Sequence, residues 1–181
     1  LDDDMVFNPQ AADRIVRLAR EKRGVACAAY ATKGGAHFAC QFFPGQQVQF
    51  APDAEPIPIR YAATGFMAVH RDVIDRMIPT LEIVHPDEPW SYWPMFQQFS
   101  REYQAPRWPG DPGKKEGLSE DFAFSARARD LGFDIWLDPS IWLEHEGTKL
   151  YTPVDVFDRI RGGDTKYFHM NEPVPAEPVA V

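Results

Sequence analysis

The sequence predicts an α/β domain with a mixed sheet, and three observations predict it. Segments with helical and strand periodicity alternate along the chain. The early run Gly24–Ala31 is small and apolar throughout, as suits a strand buried on both faces. The later strands read as antiparallel neighbours joined by a short turn. With 44% hydrophobic and 13% aromatic residues, the 181-residue chain has ample material for one packed core. Residues 1–170 are expected to form a single domain unit, and Asn171–Val181 a Pro-rich tail, extended or disordered. There are no internal repeats.

Leu1–Met5 is LDDDM, an acidic run that by itself is simply solvated. Asn8-Pro9 starts a helix, with Asn8 as cap and Pro9 in the first position. Ala12, Ile15, Val16 and Leu18 are expected to face inward, and Lys22, Arg23 and Gly24 to end it. The Gly24–Ala31 strand follows, then a Lys33-Gly34-Gly35 turn into a strand over His37–Phe43 and a Pro44-Gly45 turn. Pro58–His70 reads as one strand with Gly65 inside it, marking either a close approach to the backbone or a packing requirement. Arg71–Ile78 is a short helix with Val73, Ile74 and Met77 inward.

His85–Gly117 changes character: 33 residues with six prolines, three glycines and Trp90, Trp93 and Trp108, with Tyr92, Phe96, Phe99 and Tyr103 nearby. Such a stretch is either a binding loop or lid, whose aromatic faces suit sugar rings, or a small satellite core. The next segment, Leu118–Tyr151, carries the clearest pattern. Ser119 is placed to cap a helix whose first turn holds Glu120 and Asp121, where acids suit the positive end of the dipole. Phe124, Ala128 and Leu131 share one face, and Gly132 is the stop. Phe133, Ile135 and Leu137 alternate as a strand, Asp138-Pro139-Ser140 turns the chain, and Ile141, Leu143 and His145 share one face of a second strand. Pro153–Arg161 is a last short helix, with Val154, Phe157 and Ile160 inward and Gly162-Gly163 after it.

The net charge of −8 argues against a nucleic-acid scaffold, because a polyanion needs a basic face. An acidic protein that handles an anionic small molecule needs a metal ion or a few local bases. Two cysteines, Cys27 and Cys40, are too few for a disulfide framework, so a reducing, cytoplasmic setting is the expectation. No run of about 18 apolar residues is present, so no membrane segment is expected. The chain opens on Leu1 rather than Met, directly on an acidic cluster, and is read as a piece of something longer.

Taken in order, DDDM, ATGFMAVHRDV and LSEDFAFSARARDLGFDIWLDPSIWLEHEG supply an Asp-x-Asp, a Thr-Gly-Phe, a Ser-Glu-Asp helix start and a His-x-Gly. This series resembles the GT-A-fold nucleotide-sugar glycosyltransferases, closest to the family-2-like bacterial and phage type, over roughly Leu1–Tyr151. The resemblance implies a GT-A-like three-layer sandwich, N-terminally truncated. It implies a metal-dependent, inverting transfer of a sugar from a nucleotide-diphosphate donor, UDP-linked by family habit, to an acceptor hydroxyl. Asp4, Asp2 and His145 would hold a divalent cation, Mn2+ (or Mg2+), with imidazole favouring Mn2+. Asp2, Asp3, Thr64, Gly65 and Lys149 would line the donor site, Gly65 leaving room for the sugar ring and Lys149 pairing with the diphosphate. Asp121 would be the general base, or Glu120 if the register differs.

Each residue also has an ordinary explanation: capping for Glu120 and Asp121, a structural role for His145, a surface position for Lys149. Arg127 and Arg129 either orient anionic groups or are solvated. The family's domain normally begins before the Asp-x-Asp, so the resemblance further implies weak nucleotide binding and an exposed apolar edge at Gly24–Ala31. Two other readings compete: a sugar-nucleotide nucleotidyltransferase, and a non-catalytic carbohydrate-binding module built on the aromatic stretch.

Overall fold

The computed structural model describes residues 1–35, 37–102, 115–160 and 168–170, with 158–160 and 168–170 described by their backbone. Along these residues run β1 (Met5–Val6), α1 (Pro9–Lys22), β2 (Val25–Cys27), β3 (Val48–Phe50), β4 (Ile57–Ile59) and β5 (Met67–Val69). Then come α2 (Arg71–Met77), β6 (Phe99–Glu102), β7 (Lys115–Leu118), α3 (Glu120–Asp130), β8 (Ile135–Leu137), β9 (Glu144–Glu146), β10 (Leu150–Tyr151), α4 (Pro153–Ile160) and β11 (Phe168–Met170). The fold is mixed α/β.

The central sheet has the order β4-β8-β2-β5. β2 and β8 are parallel, Val25 opposite Ile135, while β4 and β5 flank them antiparallel. Successive side chains of a strand point to opposite faces, and here the alternation sorts the core into two layers. Val25, Cys27, Ile135 and Leu137 face Val73 and Met77 of α2 and Phe124 and Ala128 of α3. Ala26 and Ala28 face Ile15, Leu18 and Ala19 of α1. Helices therefore cover both faces. Ile135 and Leu137 have no exposed surface, and fully burying such a side chain stabilises by about 1.5–3 kcal/mol. The exposed Arg71–Asp75 pair on α2 is of the kind worth about 0.3–0.5 kcal/mol. Apolar burial, not surface charge, decides this layer.

Local chemistry explains the element ends. Asn8 Oδ1 accepts from the Ala11 amide at 2.8 Å and Pro9 opens α1, as the sequence indicated. Gly132, at φ +85°, ends the turn after α3 in a conformation that favours glycine. Asp138 Oδ1 accepts from both the amide (3.0 Å) and hydroxyl (2.6 Å) of Ser140, which fixes the turn after β8.

Several expectations are corrected. β2 is not an edge: β5 and β8 pair it on either side, so no apolar edge lies along this strand. Pro58–His70 is not one strand. β4 and β5 lie on opposite edges of the sheet, so residues 60–66 must cross it, and they do so as irregular chain with a 3-10 turn at Thr64–Phe66. His37–Phe43 forms only isolated bridges, Ala31 with Phe38 and Gln41 with Tyr61. Val16 is 42% exposed, because the buried stripe of α1 is Ala11, Ile15, Leu18 and Ala19. Val154 is exposed, because α4 turns Val156 inward in its place, beside Phe157, which is buried as expected. Ser119 occupies the cap position of α3 without a side-chain hydrogen bond. Ile160's side chain, Gly162-Gly163, Tyr103, Trp108 and the 171–181 tail lie outside the described residues.

The aromatic stretch contains a hairpin that periodicity missed: β6 and β7 pair antiparallel, Phe99 opposite Leu118. A polar cluster fastens it. Glu116 accepts from Arg60 with both oxygens at 2.8 Å, from Tyr61 Oη at 2.9 Å and from Arg101 Nε at 3.1 Å. The hairpin is thereby tied to the segment that crosses the sheet.

Candidate functional site

The first half of the site is built by strand register. β1 pairs with β9 so that Met5 lies opposite His145, and the Glu146 amide donates to the Asp4 carbonyl at 2.8 Å. This pairing brings Asp4 Oδ2 to 3.4 Å from His145 Nε2. On the other side of the ring, His145 Nδ1 lies 2.8 Å from the Ala31 carbonyl oxygen. A carbonyl only accepts, so Nδ1 carries the proton, and Nε2 is the ring nitrogen turned toward Asp4. Tyr30 packs edge-on against the same ring at 5.3 Å. Asp4 Oδ1 is buried and, among the described residues, has no hydrogen-bond partner. A buried acceptor without a donor costs free energy unless something fills the place.

Lys33, in the turn after β2, reaches Asp4 Oδ2 with Nζ at 2.5 Å. Its hydrogen bond is the main reason the Asp4 carboxyl sits below its usual range. The same bond raises the Lys33 ammonium, and the charges of Asp4, Asp3 and Asp2 add to it. Asp3 itself is exposed.

The second half gathers around Gly65. Its carbonyl accepts from the Asp2 amide at 3.0 Å, and its amide donates to Tyr30 Oη at 3.2 Å. Next to it, Thr64 Oγ1 donates to Asp121 Oδ1 at 2.6 Å. Among the described residues no hydrogen bond uses Asp121 Oδ2. Burial pushes the Tyr30 hydroxyl far above its ordinary value, and the Asp121 and Asp2 charges push it further, so it stays a neutral phenol between two carboxylates. A Cβ on Gly65 would fall 2.4 Å from Tyr30 Oη, 2.7 Å from its Cζ and 3.1 Å from Asp2 Oδ2. The room left by the missing side chain is thus occupied by Tyr30 and Asp2. Gly65→Ala is expected to destabilise by about 1–3 kcal/mol, the usual cost of overpacking, which thermal melting measures; an unchanged melting temperature would contradict this packing.

Other candidates stand apart. Among the described residues, no group of three or more His, Cys, Asp or Glu side chains is arranged to hold a metal. The implied set Asp2, Asp4 and His145 is therefore reduced to Asp4 and His145, with Asp2 at Gly65. Glu120 is exposed and accepts from Gln98 Nε2 at 2.9 Å. Lys149 is ion-paired with Asp155, whose Oδ2 accepts from the Thr152 amide at 2.8 Å, so its head is engaged away from the acidic run. Arg127 donates to the carbonyls of Met95 and Gln97, and Arg129 to that of Ile59, so both serve the scaffold.

The aromatic stretch is partly surface. Trp90 is 62% exposed, and Tyr92, Trp93, Met95 and Phe96 line a groove of about 430 Å3. Phe96 stacks on Phe124 at 4.6 Å, which sets this groove beside α3.

Sequence reasoning missed Lys33 and Tyr30. Both carried a signal: Tyr30 is the one polar-tipped side chain in the apolar VACAAYA run, and Lys33 is a lone cation in the turn that follows it.

No family model matches the chain, and no curated protein matches it. A solved structure, the crystal structure of A197 from STIV, is similar to it at 13% identity and a TM-score of 0.47, covering 86% of this chain. The chain spans 61% of the length of that protein. At that identity and TM-score the similarity has no bearing on activity. Among the described residues no helix is long and apolar enough to cross a membrane.

Proposed function

We propose that this chain carries the catalytic part of a metal-dependent, inverting glycosyltransferase of GT-A type, moving a sugar from a nucleotide-diphosphate donor to an acceptor hydroxyl. The observation that carries the reading is the meeting of Asp4 and His145 across β1 and β9, with Asp4 Oδ1 buried and, among the described residues, unpartnered. A carboxylate oxygen without a donor beside an imidazole nitrogen is a donor set suited to Mn2+. Asp4 and His145 would hold the ion; bound there, it supplies Lewis-acid stabilisation of charge on the departing diphosphate. Helices on both faces of a mixed sheet are in keeping with such a domain.

The chain's own residues supply the rest. Asp121 is oriented through Oδ1 by Thr64, which leaves Oδ2 to take the acceptor's proton. As that proton leaves, the acceptor oxygen bonds to the anomeric carbon from the face opposite the diphosphate. The bond from the anomeric carbon to the phosphate oxygen breaks, and its electron pair goes to the nucleoside diphosphate. One displacement inverts the configuration. Asp2 and Tyr30 meet at Gly65, next to Thr64, and the phenol, held neutral, offers a hydroxyl without adding charge. The groove of Tyr92, Trp93 and Phe96 has aromatic faces and, among the described residues, no charged lining residue, in keeping with a neutral sugar acceptor.

Incubating the protein with Mn2+, a panel of nucleotide-diphosphate sugars and simple glycosides tests the proposal. Nucleoside diphosphate release that needs Mn2+ and Asp121 is the expected result. Release by no donor, or release indifferent to Asp121→Asn, would contradict it.

A further inference from the structure

Lys33 faces an acidic run rather than a structural partner. Its Nζ lies 2.5 Å from Asp4 Oδ2, and Asp3 and Asp2 add to the attraction. The side chain is 52% exposed. Its backbone is fixed by the Gly35 amide donating to the Thr32 carbonyl at 2.7 Å, with Gly35 at φ +61°. Its stem runs past Gly147, where an added Cβ would come within 3.5 Å of Lys33 Cγ and Cδ. A fixed base, a glycine beside the stem and a half-exposed head describe a lysine free to swing through its four-carbon chain. Among the described residues no carboxylate outside the acidic run pairs with it, whereas Lys149 is engaged by Asp155.

We propose that Lys33 is a donor-binding residue with two alternating partners: the Asp4 carboxylate while no divalent cation is bound, and the donor's diphosphate once a cation occupies Asp4. The inference rests on the function proposed above. An ammonium and a divalent cation compete for one carboxylate, since each gains from the same negative charge and repels the other. Displaced from Asp4, the ammonium remains anchored beside the site, where the incoming anion is the diphosphate. A lysine acts there as a point charge and hydrogen-bond donor toward phosphate oxygens. The contact that occupies the site without a cation thus becomes a contact to the substrate with one.

The two roles predict opposite changes in one variant. Mn2+ alone, followed by electron paramagnetic resonance of the free ion, is expected to bind Lys33→Met more tightly than wild type, by up to about fivefold, the worth of a part-exposed ion pair. UDP, titrated in the presence of Mn2+, is expected to bind the same variant at least about tenfold more weakly, because a charge-assisted contact is lost. Lys33→Arg keeps the charge and is expected to restore most of the UDP affinity, and thermal melting of both variants checks that they fold. Unchanged Mn2+ affinity, or unchanged UDP affinity, in a folded Lys33→Met would overturn the inference while leaving the proposed function standing. Wild type that binds no Mn2+ would overturn both.

Discussion

Replacing Asp121 with Asn is expected to lower sugar transfer by about 10²- to 10⁴-fold, the range that a general base supplies, or roughly 3–5 kcal/mol of barrier. The substitution is nearly isosteric. The amide oxygen still accepts from Thr64, 2.6 Å away in the wild-type protein, so position and fold are kept while the proton acceptor is lost. Mn2+ affinity and melting temperature are expected to stay at wild-type values, because neither Asp4 nor His145 is touched. Glu120→Gln is the control. Glu120 is exposed and held by Gln98, so its replacement is expected to cost far less than that of Asp121. A larger loss at Glu120 than at Asp121 would reverse the assignment of the base.

The largest effect on stability is expected at Glu116. Its carboxylate receives Arg60, Tyr61 and Arg101, and the side chains of Arg60 and Glu116 are only 6% and 10% exposed. Removing one partner of a buried ion pair typically costs about 3–5 kcal/mol, because the remaining charge stays behind uncompensated. Glu116→Ala is therefore expected to lose that amount in urea denaturation. At about 2–4 °C per kcal/mol for a chain of this length, it should melt roughly 6–20 °C lower. A loss below about 1 kcal/mol would mean that the cluster is solvated like an ordinary surface pair.

How far the sequence revealed this molecule depended on how local each cause was. The Asn8-Pro9 start of α1, the glycine stop after α3 and the Asp138 turn are decided by neighbours in sequence, and all were legible. Ile135 and Leu137 alternate around Trp136, so β8 was legible too. The crossing at residues 60–66 was not. Whether an apolar run continues as one strand or passes from one edge to another depends on the order β4-β8-β2-β5, which no local period encodes. The same holds for the β6–β7 hairpin, whose stability comes from Arg60 and Tyr61 far away in sequence. Val16 and Val154 were misplaced because an apolar residue beside the buried stripe has the same composition as one within it.

At the candidate site, residue types and order pointed to Asp4, His145, Thr64, Gly65 and Asp121, and the fold joins Asp4 to His145 and Thr64 to Asp121. The positions of Lys33 and Tyr30 follow from where the segment after β2 lies against His145 and Asp4, a tertiary fact. The expected room for a sugar ring at Gly65 failed for the same reason, since Tyr30 fills it from another part of the chain.

The pairing of Asp4 with His145 is the centre of this account, and calorimetric titration of Mn2+ tests it most directly. Wild type, Asp4→Ala and His145→Ala would be compared, each with and without UDP and each shown by melting to be folded. The account predicts binding by wild type that strengthens with UDP and is lost or severely weakened in both variants. Wild-type affinity in either folded variant would contradict it.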